Sequence, residues 1–239
     1  MQSIEREVLL IDVGNTSIKV GRALKGGVEL LSTLPTVKAL KEPESLTGLL
    51  KERGEVAVAS VVPQASKVIK EACPRALFVE PKGELPVKIP YRGRMGADRV
   101  ANILGAYTLF KSFIVASVGT AVVVDAVVNG EFKGGIILPG LELMAGALRN
   151  KTALLPKVEG AERKLGRETE ECIRGGIFRA IEGAVKTVKE ELPGIPLILT
   201  GGGGNLFKEA LGGIYLKDLT LTGIFEFWKL KRGRELPQL

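Results

Sequence analysis

The chain has 239 residues, 45% of them apolar and 26% charged, with a formal net charge of +7. This length buries a sizeable core in one large or two small domains, and no apolar run reaches the length of a membrane span. Its Lys and Arg are scattered among Glu, as in KTVKEEL (186–192), with one concentrated run at the C-terminus, WKLKRGRELPQL (228–239), which argues for solvated, ion-paired faces over a nucleic-acid stripe.

The opening residues MQSIEREVLL lack a basic region followed by an apolar core and a cleavage site, so a cytoplasmic protein is expected. Then comes LLIDVGNTSIKVGRAL (9–24). Val8 to Ile11 fit a strand buried on both faces, Gly14 and Asn15 tolerate a tight turn, and Ser17 to Val20 alternate like the return strand of a hairpin. Two readings stay open for this stretch. In one, Asp12 merely caps a hairpin. In the other, the backbone N–H groups, Asn15, Thr16 and Ser17 hold an anion beside Mg²⁺ on Asp12. The turn is not a Walker loop, which needs GxxxxGK[ST] leading into a helix.

Helical patterns follow at Lys38–Arg53, with a break at Pro43, and at Pro63–Ala72; strands fit Val56–Val61 and Ala76–Val79. YRGRMGADRVANILGAY (91–107) opens a helix at Gly96-Ala97-Asp98-Arg99 that extends to Lys111, its apolar positions Val100, Ile103, Leu104 and Tyr107 sharing one face. Asp98 falls in the first turn, where the helix dipole favours an ionised carboxylate. That carboxylate is either a helix cap or an acceptor for a substrate hydroxyl proton, and Arg99 suits a carboxylate or phosphate.

FIVASVGTAVVVDAVVNG (113–130) repeats the opening pattern, with Ser117-Val118-Gly119 aligning on Asp12-Val13-Gly14. Asn129-Gly130 signals a hairpin, and Glu131 to Leu138 reads as a third strand. Helices fit Leu141–Asn150, Thr169–Glu191, Asn205–Leu211 and Leu219–Lys231. The strand Ile195–Leu199 runs into TGGGGN (200–205), where four glycines let a ligand approach the backbone. Two related α/β halves with mixed sheets result, 1–111 and 112–239, the last helix packing back. Cys73 and Cys172 form neither a CxxC pair nor a disulfide framework, and without His no zinc set can be completed. Any acid–base step therefore falls to Asp, Glu, Lys, Tyr or Cys.

DVGNTSIK (12–19), ASVVP (59–63), GADR (96–99), VGTA (118–121), GGIILPG (134–140), KTALLP (151–156) and TGGGGN (200–205) resemble, in order and over nearly the whole chain, the motifs of type III pantothenate kinases. The resemblance implies membership of the acetate and sugar kinase/Hsp70/actin superfamily: two ribonuclease H-like domains with helix-flanked mixed sheets and a nucleotide cleft between them. It implies transfer of the ATP γ-phosphoryl to pantothenate, the first step of coenzyme A biosynthesis.

By the same resemblance Asp12, Val13, Gly14, Asn15, Thr16, Ser17, Ile18 and Lys19 form the phosphate loop, with Asp12 near Mg²⁺, directly or through water. Gly119 and Thr120, with Thr200, Gly201 and Gly202, belong to the nucleotide side. Asp98 is the implied general base, and Gly96, Ala97, Asp98, Arg99, Tyr91, Thr152 and Thr169 meet pantothenate, Thr152 from a partner subunit of a homodimer. The apolar stretch GGIILPGLELMAGAL (134–148) suits either such an interface or a buried strand and helix. One departure stands out. The family carries Asp at the head of the second loop as a K⁺ or ammonium ligand, where this chain has Ser117, so the monovalent requirement is expected to weaken. Two other expectations compete with the kinase: another small-anion kinase or phosphatase of the superfamily, and a non-catalytic ATP-binding regulator. The retained Asp12 and Asp98 speak against the regulator.

Overall fold

The computed structural model describes residues 7–50 and 54–233. The opening segment 1–6, the expected helix end at 51–53 and the last part of the basic run, 234–239, lie outside the described residues.

The chain runs β1 (Val8–Val13), β2 (Ser17–Leu24), β3 (Gly27–Pro35), α1 (Thr36–Lys41), α2 (Glu44–Leu50), β4 (Glu55–Ser60), α3 (Pro63–Ala72), β5 (Leu77–Phe78) and α4 (Ala97–Tyr107). A second series follows: β6 (Phe113–Val118), β7 (Ala121–Val128), β8 (Glu131–Pro139), α5 (Leu141–Lys151), α6 (Thr169–Glu191), β9 (Leu197–Thr200), a 3-10 turn at Gly204–Phe207, α7 (Lys208–Leu211), β10 (Ile214–Tyr215) and α8 (Leu219–Arg232). The strands form two five-stranded sheets, ordered β3-β2-β1-β4-β5 and β10-β9-β6-β7-β8. In each, the first strand pairs antiparallel with the next and parallel with a later one, β1 with β4 and β6 with β9, so both sheets are mixed.

Two compact units emerge. The first takes Met1–Leu109, Gly130–Phe132 and Asp218–Leu239; the second takes Phe110–Asn129 and Lys133–Lys217. In the first unit Leu9, Ile11, Val13, Ile18, Val20, Val56 and Val58 cluster with Ala39, Leu46, Ala65 and Ile69, so α1 to α3 cover that face of the sheet. Strand periodicity turns Asp12 and Lys19 to the opposite face, where α4 and α8 lie and Leu221 approaches Gly21 of β2. The Thr220 hydroxyl bonds Asn102 Oδ1 at 2.8 Å, pinning α8 to α4. In the second unit Ile114, Ala116, Val118, Val122 and Val124 pack under α5 and α6 through Ala145, Ile173, Ile177, Phe178 and Ile181.

Several elements differ from the sequence reading. β3 was not expected, because its residues alternate between half-buried and exposed along an edge and lack an apolar run. β10 is only two residues long, too short to leave a pattern. α4 stops at Tyr107, four residues early: Thr108 turns its hydroxyl onto the Gly105 carbonyl at 2.7 Å, and Leu109 is exposed. The helix expected at 38–53 begins at Thr36 and does divide at Pro43. The one expected at 205–211 is a 3-10 turn followed by a single α-turn, as suits a glycine-rich start. Among the described residues no helix is long and apolar enough to cross a membrane.

Candidate active site

The aliphatic run of β1 ends in Asp12, which lies opposite Lys19 on β2 and Ala59 on β4. The turn that follows is closed by Gly14 N–H donating to the Ser17 carbonyl at 3.0 Å, leaving Asn15 and Thr16 exposed at its tip. Val13 and Ile18 point into the core, so they offer a ligand only their backbone. Thr36 braces the turn from below: buried at the head of α1, it donates its hydroxyl to Gly14 O at 2.7 Å and its N–H to Thr16 O at 3.0 Å. Nothing in the sequence singled out Thr36 beyond a hydroxyl after a proline at a helix start.

Burial is the main influence on the Asp12 carboxyl; Lys19 draws it down and the Asp98 charge lifts it, and the outcome is a pKa raised to about 6. The two carboxylates are thus neighbours in the first unit. Asp98 curls back in the first turn of α4, its Oδ1 accepting Arg99 N–H at 2.9 Å. Burial raises its pKa as well, against the backbone hydrogen bond and charge of Arg99. Gly96 makes this curl possible: a Cβ there would lie 2.5 Å from Asp98 Oδ1. Ala97 sits between them in the same turn, half-buried. Arg99 is buried under the ring of Tyr91, with Cζ 5.0 Å from its centroid and Nη1 donating to Tyr91 Oη at 3.2 Å. Asp12, Lys19, Asp98, Arg99 and Tyr91 therefore belong to one unit.

The second unit builds a matching turn. Ser117 stands where Asp12 stands in the first, opposite Val123 on β7 and Thr200 on β9. Gly119 N–H closes the turn on Ala121 O at 3.0 Å, one residue tighter than its counterpart, with Thr120 exposed at the tip. Gly140 N–H bonds Thr120 O at 2.9 Å, and any Cβ at Gly140 would collide with the Gly119 carbonyl. From the other side Gly203 N–H bonds Val118 O at 2.9 Å, and Gly201, with its carbonyl held by Tyr215 Oη at 3.2 Å, takes φ +82 beside exposed Gly202. The loops 119–120, 139–140 and 200–203 thus converge. Thr200 is buried, with Oγ1 lacking a hydrogen-bond partner. Strand alternation puts Ser117, Thr200 and the buried Asp125 on the sheet face opposite the α5–α6 core.

Thr152 and Thr169 lie elsewhere in the second unit. Thr152 ends α5, exposed, its hydroxyl on Leu148 O at 2.8 Å. Thr169 starts α6 at the rim of an open, mainly apolar groove of about 860 Å³, walled by Leu143, Met144, Leu148, Leu155, Ile173 and Ile177. Among the described residues no cluster of three or more His, Cys, Asp or Glu could cage a metal. A Mg²⁺ ion would rest on Asp12 and on substrate oxygens, which suits an ion that keeps water and phosphate ligands. The donor set fits: one half-buried carboxylate of raised pKa beside the exposed tip of a tight turn.

Comparison with known proteins places these features in context. The family model described as type III pantothenate kinase matches residues 8–191. A type III pantothenate kinase of Kosmotoga olearia is 35% identical over 95% of this chain and 97% of its own. One from Thermosipho melanesiensis is 34% identical over 92% and 98%. Among solved structures, a Campylobacter jejuni protein named for the Baf family of transcriptional activators aligns at TM-score 0.69 and 22% identity, over 95% of this chain and 100% of that one. A Sinorhizobium meliloti protein named as a 2-dehydro-3-deoxygalactonokinase aligns at TM-score 0.62 and 12% identity, over 94% and 99%. These last two share the fold.

Proposed function

The chain belongs to the type III pantothenate kinase family, and from that premise we propose how its residues divide the labour of phosphorylating pantothenate with ATP. The activity is transfer of a phosphoryl group to a pantothenate hydroxyl in coenzyme A biosynthesis. Phosphoryl transfer asks a protein chiefly for positioning and charge stabilisation. In this reading the Gly14–Thr16 turn and Lys19 receive phosphate oxygens, and Asp12 holds Mg²⁺, which when bound neutralises charge on the phosphates. Asp98 accepts the hydroxyl proton and Arg99 meets the pantothenate carboxylate. Tyr91, Gly96 and Ala97 border that substrate. Gly119, Thr120 and Thr200 to Gly202 receive the nucleotide through their backbone.

The observation that carries the reading is the coupling of two part-buried carboxylates, one beside an anion-type turn with a lysine, the other beside a buried arginine. Burial raises the Asp98 pKa, which strengthens it as a base relative to an ordinary carboxylate. The test is incubation with Mg²⁺, ATP and pantothenate, following ADP and phosphopantothenate by mass. Product that needs pantothenate supports the reading. ADP without phosphopantothenate would point to a hydrolase, and ATP binding without turnover to a regulator.

A monovalent cation is proposed to matter less than in relatives with Asp at the head of the second loop. Ser117 and the unpartnered Thr200 Oγ1 offer neutral oxygens on the same sheet face, weaker ligands for a hard cation than a carboxylate. The protein is also proposed to act as a cytoplasmic homodimer, with the apolar α5–α6 groove and the exposed Ile137, Leu143 and Leu154 meeting a second copy near Thr152 and Thr169.

A further inference from the structure

Gly130–Phe132, the end of the β7–β8 hairpin and start of β8, belongs to the first compact unit although the strands on either side pair in the other sheet. Its anchor there is a two-bond bridge to the segment before α4: Lys88 N–H donates to Gly130 O, and Phe132 N–H donates to Lys88 O, both at 2.9 Å. The Lys88–Glu131 ion pair alongside, at 3.8 Å, is exposed and adds little. What the bridge delivers is the Phe132 ring, buried at 5% exposure. That ring meets Tyr91 edge-on, centroids 5.9 Å apart at 65°. Arg99 Cζ also lies over it, 5.9 Å from the centroid, while Tyr91 holds the same guanidinium at 5.0 Å and by the 3.2 Å bond to its hydroxyl. One aromatic side chain from the hairpin thus touches both residues assigned to the substrate's acid end.

We propose that Phe132 is a positioning residue for pantothenate: it fixes Arg99 and Tyr91 before substrate arrives, so that the guanidinium meets the carboxylate already ordered. The inference rests on the reading of Arg99 as the carboxylate partner. The physical reason is preorganisation. An arginine side chain has several rotatable bonds, and aromatic groups packed on its guanidinium remove that freedom in advance. Phe132 touches no reacting atom, so its loss acts on substrate capture through Arg99 and leaves chemistry at Asp98 intact.

The test compares wild type, Phe132→Leu, Phe132→Tyr and Arg99→Met with two acceptors: pantothenate, and its alcohol analogue in which the carboxylate is reduced to CH₂OH. Phe132→Leu keeps apolar bulk, and its melting temperature guards against misfolding. The expected result is a KM for pantothenate raised about tenfold in Phe132→Leu, with kcat and the KM for ATP within about twofold, a KM for the alcohol analogue nearly unchanged, and recovery in Phe132→Tyr. Arg99→Met should raise the pantothenate KM further and abolish the preference for the carboxylate. Unchanged discrimination in Arg99→Met would remove the Arg99 reading itself. A large effect in Arg99→Met with none in Phe132→Leu would overturn only the role of Phe132. Equal losses in kcat and in both KM values in Phe132→Leu, with a lowered melting temperature, would reduce the ring to core packing and overturn it too.

Discussion

The two hairpin turns, at Asp12 and at Ser117, are built on the same strand register and carry opposite chemistry. The first is one residue longer, leaves two polar residues at its tip, and places a carboxylate and Lys19 on one face of its sheet. The second replaces that pair with Ser117 and Val123, and glycines of two neighbouring loops clamp it. The comparison teaches that the duplicated topology supplies two backbone cradles, while a carboxylate and an ammonium pair across the strands beside only the first of them. In the proposed reading the first turn receives phosphate and Mg²⁺, and the second receives the nucleotide through its backbone.

The sharpest way to break this division is at the acceptor acid. Asp98→Asn should cut turnover by about 10²- to 10⁴-fold while leaving ATP affinity within about twofold, read by steady-state kinetics and equilibrium nucleotide binding. Unchanged turnover would remove Asp98 as the base. Next in size is the clamp on the second turn. Gly140→Ala pushes a methyl group into the Gly119 carbonyl, and the forced shift should lower stability by about 1–3 kcal/mol and raise the KM for ATP. Differential scanning calorimetry and ATP titration check this. If the KM for ATP stays put while the melting temperature falls, the second turn is structural only.

A stability measurement then sharpens the contrast between the turns. The folded Asp12 carboxyl titrates at about 6, above the 3.8 of an ordinary one, so ionising it costs folding free energy. The cost is absent below pH 3.8, grows through pH 6 and is complete above it. Without nucleotide or Mg²⁺, Asp12→Asn should therefore melt higher than wild type at pH 8, by about 3 kcal/mol of stability, with the advantage gone by pH 4. The variant should be inactive all the same, which marks Asp12 as a residue kept at the expense of stability. A melting advantage independent of pH would show that charge is not its cause. The smallest expected effect is at Ser117: replacing K⁺ by Na⁺ should change the wild-type rate less than about twofold, whereas Ser117→Asp should create a clear K⁺ preference. A large loss of rate for the wild type in Na⁺ would erase the distinction drawn from the serine.

How much of this was legible in the chain depends on the range of the interaction. The β1 and β6 runs, their glycine turns, α4 and α6 all announce themselves through local periodicity and turn chemistry, and the alignment of Asp12 with Ser117 agrees with their equivalent places in the two sheets. β3 was invisible, since an edge strand with half-exposed positions needs no apolar run and owes its form to pairing with β2. Thr36 and Phe132 gave no sequence signal, because each acts on residues far along the chain: Gly14, 22 positions before Thr36, and Tyr91 and Arg99 across the bridge from Lys88.

By itself the sequence determined which groups can do chemistry: with no histidine, any acid–base step falls to Asp, Glu, Lys, Tyr or Cys, and the proposed function draws on Asp12 beside Lys19 and Asp98 beside Arg99. It also determined where strands stop and glycine turns begin, because steric freedom and hydrophobic period are properties of neighbouring residues. Only the tertiary structure decided that the Asp98 charge adds to the cost of ionising Asp12, that Gly140 locks the second turn, and that the β7–β8 hairpin delivers Phe132 to Arg99. Burial, Coulomb coupling and ring packing depend on distances through space, and separation along the chain does not specify them.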